Sequence, residues 1–364
     1  LHYMGDARLV SSAHRDLEEE ALRDCFLSTS PCDLREMAPN DPVIVYPGGK
    51  ARCIFSNSSE YRFQVVRGDL RKLLIYFQGG GACWNEESTR LGLCTVDALP
   101  SPLLGIMSRD SSLNPDFSNY TLVEILYCSG DVHGGNASRS YGAVQTGAEN
   151  TAAVLNWIKR QNLSLDDLII TGCSAGSVGA QIWAEYILSN FHAKSSAVIP
   201  DSFVGVFPPG SQGPLIKSFG LCGGLILTSS ANHSLNELCY DEKLTLQAVF
   251  LNALKQKQDV VFATIQSKVD FVQIAFYMSI NNLNPEFDKE AGGLLTPSKY
   301  YSELNDILLQ YHAFPNHVAY LISATKHCYT ENVYFSVADT ERVAGNGALQ
   351  RWVQRLPLRD DDDE

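Results

Sequence analysis

The pattern of apolar positions changes character along the chain. Tyr61-Arg62-Phe63-Gln64-Val65-Val66 alternates polar and apolar residues, as a half-covered strand near a sheet edge does. Short continuous apolar runs follow at Leu73–Phe77, Leu122–Tyr127, Leu168–Thr171, Val260–Ile265 and Val318–Ile322, each bounded by turn-forming residues. Runs of that length read as parallel strands buried on both faces. Between them, apolar residues recur every three or four positions over Ala143–Arg160, Val178–Asn190, Leu244–Lys257, Tyr300–Tyr311 and Glu341–Val353, which predicts helices. The acid-rich lead Ala13–Arg35, with Leu17, Ala21, Leu22 and Cys25 at helical spacing, is also expected to be helical, and turn-rich Pro31, Pro39 and Pro42 follow. Alternating strand and helix predicts an α/β fold with a doubly wound, mostly parallel central sheet flanked by helices and an antiparallel N-terminal edge. No Ser/Gly/Pro linker divides it, so the expected organisation is a lead at 1–42, one domain at 43–356 and an acidic tail at 357–364.

Charge changes this picture only by exclusion. Of the net −13, five charges belong to the terminal run Asp360 to Glu364, leaving −8 on the rest. No basic footprint for nucleic acid exists. No run approaches the roughly 18 apolar residues of a membrane-spanning helix. The chain opens Leu1-His2-Tyr3-Met4, without the basic and then apolar design of a signal peptide and without an initiating Met, which points to a processed or truncated start. Ten cysteines without a C-x-x-C pair argue against a zinc ribbon or redox motif and for an exported enzyme with a few disulfides. Sequons at Asn57, Asn119, Asn136, Asn162 and Asn232 point the same way.

The chemistry centres on Thr171-Gly172-Cys173-Ser174-Ala175-Gly176-Ser177-Val178, between an apolar run and a helical pattern. A serine on so sharp a strand-to-helix turn needs glycines two positions either side, and the turn lifts its Oγ above the sheet at a helix N-terminus. Ser174 is thus the candidate nucleophile, and the Ala175 N–H a candidate oxyanion donor. A capping serine in a glycine-rich turn is the plain alternative. A second cluster, Gln78-Gly79-Gly80-Gly81-Ala82-Cys83-Trp84-Asn85, follows an earlier strand, where this architecture supplies further oxyanion N–H groups; Gly80 and Gly81 are the candidates. It matches neither a phosphate loop nor a dinucleotide fingerprint. Chain order in such hydrolases runs nucleophile, acid, base. Asp270, after the Val260–Ile265 strand, is preferred as acid over Asp201, which comes one strand early and suits a structural carboxylate; the choice stays open. Among eight histidines His327 alone directly follows a late buried strand, whereas His312 and His317 flank that strand at its starting end. His327 would relay the Ser174 proton, with Asp270 holding its tautomer.

Together, Phe77 to Asn85, Tyr127-Cys128-Ser129-Gly130-Asp131-Val132-His133-Gly134-Gly135, Gly172 to Gly176 and His327-Cys328 resemble the pectin acetylesterase/Notum family over roughly Val43 to Val353. The resemblance implies an exported, cofactor-free serine carboxylesterase of the α/β-hydrolase fold acting through an acyl-serine intermediate. It implies Ser174 as nucleophile, His327 as base and Gly80, Gly81 and Ala175 as oxyanion hole, with Asp270 the weakest match. Trp84, Asp131 and His133 are candidate substrate contacts; a buried Asp131 that fixes its loop is the alternative. Cys83 with Cys94 and Cys222 with Cys239 are the expected pairs, and Cys173 is expected to be a small buried residue. The expected substrate is an O-acetyl ester on an extracellular polysaccharide such as pectin; the alternatives are a longer acyl ester on a protein or lipid, and an inactive hydrolase-fold binding protein. An anionic polysaccharide would require a basic strip, for which Arg90, Arg109 and Arg139 are the candidates.

Overall fold

Burial on both faces, which the uninterrupted apolar runs imply, is realised in a nine-stranded sheet. The computed structural model describes residues 23–227, 233–284, 293–333, 335, 348–354 and 356. In chain order its strands are β1 (Arg23–Phe26), β2 (Pro42–Tyr46), β3 (Phe63–Val66), β4 (Asp69–Phe77), β5 (Tyr120–Ile125), β6 (Ala137–Ser138), β7 (Val144–Gln145), β8 (Leu165–Cys173), β9 (Ala193–Asp201), β10 (Val261–Ser267) and β11 (His317–Ile322). The main sheet runs β1-β2-β3-β5-β4-β8-β9-β10-β11, while β6 and β7 form a separate hairpin. From β5 through β11 every neighbouring pair is parallel; β3 is antiparallel to both its neighbours.

Successive residues of β4 show how the two faces are filled. Leu73, Ile75 and Phe77 join a large core on one side, and Leu74 and Tyr76 join a second core on the other, the period-two alternation of a strand. In chain order the helices up to this point are α1 (Glu86–Arg90), α2 (Gly147–Arg160), α3 (Ala175–Asn190), α4 (Gln212–Ser218), α5 (His233–Tyr240) and α6 (Leu246–Gln256), and the larger core packs α2, α3 and α6 against the sheet. Helix α3 is buried almost all round, lying over β4, β8 and β9 and beneath α6. Burying each large apolar side chain contributes about 1.5–3 kcal/mol, so α3 and the turn before it are held rigidly.

Several elements differ from the sequence pattern. The expected helix at Ala13–Arg35 is, in its described part, strand β1 followed by a turn; β1 pairs in parallel with β2, and a Cys25–Cys32 disulfide closes the turn. Ala13 to Leu22 lies outside the described residues. The expected helix from Ala143 starts at Gly147, because Val144 and Gln145 pair with β6. Of Glu341–Val353 only the part from Ala348 is described, as helix Ala348–Gln354; the acidic tail lies outside the described residues.

His317 opens β11 and His312 caps the helix Pro297–Tyr311, both at the starting end of the strand. His317 Nε2 lies 3.0 Å from Thr264 Oγ1 in the core, and burial pushes the imidazole pKa down to about 3. Unfolded, the ring titrates near 6.5. Above that pH it is neutral in both states; below it the unfolded chain takes up a proton that the fold refuses, so stability falls as pH drops from about 6.5 toward 3. His317→Gln is expected to flatten the pH dependence of stability over this window by up to about 1.4 kcal/mol per pH unit. Urea titrations at pH 7, 6, 5 and 4 test it, and parallel profiles for the two proteins would refute it.

Candidate active site

The turn between β8 and α3 holds Ser174 at φ 60° and ψ −121°, a conformation that non-glycine residues rarely adopt. Its glycines are required by close approach: a Cβ on Gly172 or Gly176 would run into the Phe77 carbonyl oxygen. The Ser174 N–H donates to Asp201 O at 3.1 Å, which fixes the turn to the end of β9. No side-chain hydrogen bond caps α3, whose first N–H groups follow Ser174 directly and have no intrahelical partner.

Asp270 and His327 arrive from the ends of β10 and β11. Asp270 caps helix α7 (Phe271–Leu283): its Oδ1 accepts the N–H groups of Val272 and Gln273, each at 3.0 Å. Its Oδ2 accepts Gln273 Nε2 at 2.9 Å and His327 Nδ1 at 2.7 Å. A fully buried carboxylate acceptor on Nδ1 fixes the proton there and leaves Nε2 free to accept. Among the described residues, the buried His327 Nε2 has no hydrogen-bond partner, and His327 and Ser174 line the same pocket. Asp201, the alternative acid, does not reach His327. Its Oδ2 accepts the N–H groups of Tyr329 and Thr330 at 2.7 Å each and the Thr330 hydroxyl at 2.9 Å, and its Oδ1 accepts the Ser202 hydroxyl at 2.7 Å.

The glycine cluster after β4 forms the facing wall. Gly80 and Gly81 have φ of 142° and 73°, and a short ladder ties the loop to Cys94 and Thr95. That ladder uses the Gly80 carbonyl, which accepts Thr95 N–H at 2.8 Å, and the Ala82 N–H, which donates to Leu93 O at 2.9 Å. The Gly81 N–H stands outside it. Gly81 and Ala175 line the pocket with Ser174; Gly80 is not among its lining residues.

Trp84 lines that pocket, but Asp131 and His133 do not. Asp131 is fully buried, accepting Ser129 Oγ at 2.6 Å and Gly147 N–H at 2.7 Å, and so fastens its loop to the start of α2. His133 Nε2 lies 2.8 Å from Gln78 O, and burial pushes its pKa down to about 4. His133 thus holds the glycine wall at Gln78, while Asp131 fixes the loop that carries His133. The pocket itself is strongly apolar, with Trp84, Ile182, Phe207, Phe219, Leu246 and Phe276 among its walls; among the described residues, Ser174, Gln212, Gln273 and His327 are the polar side chains on it.

Other expectations are met in part. Arg90 is engaged by Glu87 at 2.6 Å, Arg139 by Gln145 at 2.8 Å, and Arg109 donates to Tyr120 O at 2.7 Å, at the starting end of β5 and away from Ser174. They form no basic strip. All ten cysteines pair: Cys25–Cys32, Cys53–Cys128, Cys83–Cys94, Cys173–Cys328 and Cys222–Cys239. The third and fifth are the expected bridges. Cys173, expected as a small buried residue, is buried but is also bonded to a partner 155 positions away, a separation that offers no local signal.

Comparison with known proteins places this chain among esterases. The family model for pectinacetylesterase matches residues 47–358. Pectin acetylesterase 4 of Arabidopsis thaliana is 24% identical over 323 residues, covering 80% of this chain and 76% of that protein. The human palmitoleoyl-protein carboxylesterase NOTUM is 27% identical over 165 residues, 42% of this chain and 33% of that protein. A solved structure of the Wnt deacylase Notum from Drosophila superimposes with a TM-score of 0.59 at 16% identity, covering 84% of this chain and 91% of that one; it shares the fold.

Proposed function

Because this chain belongs to the pectinacetylesterase family and is a carboxylic ester hydrolase, we propose that Ser174, His327 and Asp270 are its catalytic triad and that it removes a long acyl group from a protein or lipid. His327 Nε2 accepts the Ser174 proton as Oγ attacks the ester carbonyl. The Gly81 and Ala175 N–H groups, aided by the α3 N-terminus, stabilise the oxyanion. His327 then protonates the departing alcohol, leaving acyl-Ser174, and Asp270 stabilises the imidazolium. Water repeats the sequence and releases the fatty acid.

The apolar pocket carries the choice of substrate. An acetyl group would put a single methyl against walls made by Ile182, Phe207, Phe219 and Leu246. A long chain would bury about 0.8 kcal/mol per methylene there. The human relative, a palmitoleoyl-protein carboxylesterase by name, agrees with this reading. The net charge of −13, the pairing of Arg90 with Glu87 and the placement of Arg109 at the starting end of β5 count against polygalacturonate, which is itself anionic. Five disulfides and the absence of an unpaired cysteine support an oxidising, extracellular setting.

Profiling nitrophenyl esters by chain length tests the proposal. kcat/KM is expected to rise about 10³-fold from the C2 to the C8 ester, the size of six buried methylenes. Activity that peaks at C2 and falls beyond C4 would return the substrate to an acetyl ester. Absence of labelling of folded protein by a fluorophosphonate would leave a binding protein.

A further inference from the structure

We propose that the Cys173–Cys328 disulfide is a positioning clamp that holds His327 at Ser174, an inference that rests on the triad reading. One half of the bridge immediately precedes the nucleophile and the other immediately follows the base. The order of the chain makes this consequential: the two reacting groups lie at the ends of strands β8 and β11, with β9 and β10 between them in the sheet. No ladder hydrogen bond therefore couples the β8 turn directly to the loop after β11. The bridge spans that gap, and a ring nitrogen of His327 lies within 4.8 Å of both its sulfurs.

The surrounding bonds make the bridge part of one assembly. Cys173 sits opposite Asp201 in the β8–β9 register, and the Asp201 carbonyl accepts the Ser174 N–H. The Cys328 N–H donates to Ser202 Oγ at 3.0 Å, while the Asp201 carboxylate accepts the next two N–H groups of the same loop. On the other side of His327, Ser267 Oγ donates to Lys326 O at 2.6 Å. The backbone on either side of the imidazole is thus anchored, and the disulfide is its covalent connection to the nucleophile turn. Both cysteines are buried, so neither is placed to serve as a surface staple. Displacement of a catalytic group by about 1 Å can cost about 10² in rate, which is the loss expected when the clamp is cut.

The decisive comparison is Cys173→Ala/Cys328→Ala against Cys222→Ala/Cys239→Ala, which removes a bridge outside the triad, with Ser174→Ala as the check on the triad itself. In the folded, purified enzymes the first pair is expected to lower kcat and the rate of fluorophosphonate labelling about 10²-fold, with KM for a nitrophenyl ester within about twofold. The second pair is expected to leave kcat per folded molecule within about threefold. Equal kcat loss in the two pairs, or a kcat for Cys173→Ala/Cys328→Ala within threefold of the parent, would overturn the clamp. Should the double variant not fold, graded reduction of the native enzyme with a dithiol, followed by alkylation and peptide mapping, replaces it. Here two dithiol sulfurs are oxidised to a cyclic disulfide as Cys173 and Cys328 each gain a proton and an electron. Residual activity is expected to follow the fraction of this bridge intact, and full activity with it opened would refute the proposal. Retained activity in Ser174→Ala would instead refute the triad reading, so the two failures are distinct.

Discussion

Ser174→Gly is expected to abolish turnover and to stabilise the protein at the same time. Loss of the nucleophile should lower kcat by about 10⁶, as expected when a triad serine is removed. Stability moves the other way because Ser174 sits at φ 60° and ψ −121°, a strained conformation that costs a residue with a Cβ about 1–3 kcal/mol. Glycine adopts it freely but gives up about 0.5–1 kcal/mol through the larger entropy of its unfolded state. The hydroxyl makes no capping hydrogen bond to α3 that would be lost. The net expectation is a gain of about 1 kcal/mol, or about 2 °C in Tm. Calorimetry beside ester turnover tests both signs. A variant that is inactive and less stable than the parent would mean that the turn is not held under strain. One that retains turnover would remove Ser174 from the chemistry.

The same strain explains why this part of the site was legible in the sequence. A sharp turn tolerates only certain residues, so Gly172 and Gly176 mark it locally, and the apolar run before it locates the strand. The central strands were legible for a related reason: burial on both faces leaves no polar alternation in β4, β5 or β8. Strand β1, Arg-Asp-Cys-Phe, is a mostly exposed edge with nothing apolar to repeat, and it exists because its backbone finds β2. Strand β9 begins with Ala-Lys-Ser-Ser and is buried only in its second half, so its pattern is diluted. Chain order located His327 and Asp270 without showing that they touch. The Cys173–Cys328 bridge and the apolar pocket are assembled from distant segments. Ile182 comes from α3, Leu246 from α6 and Phe276 from α7, each at a position that reads in sequence as ordinary core. Loop residues Asp131 and His133 carry catalytic residue types, but the fold turns them to hold backbone.

Asp270 and Asp201 are both fully buried, and isosteric amides should separate their roles sharply. In Asp270→Asn, Oδ1 can still accept the Val272 and Gln273 N–H groups, so the cap of α7 survives. The new –NH2 then faces His327 Nδ1 and Gln273 Nε2, where the carboxylate had accepted two donors. Gln273 can turn its amide oxygen inward. His327 can comply only by giving up its Nδ1 proton, which places the proton on Nε2 and blocks acceptance from Ser174. That wrong tautomer is expected to lower kcat by about 10⁴ with KM little changed. In Asp201→Asn the amide oxygen can keep the Tyr329 and Thr330 N–H groups, and the charge removed is one that burial already disfavours, raising its pKa. The amide –NH2 meets Ser202 Oγ, which must reorient its proton, a disturbance of about 1–3 kcal/mol in stability. Here kcat is expected to stay within about tenfold of the parent while Tm falls. Steady-state kinetics and melting curves on the two variants decide between them. A 10⁴-fold loss in Asp201→Asn, with Asp270→Asn near normal, would reassign the acid.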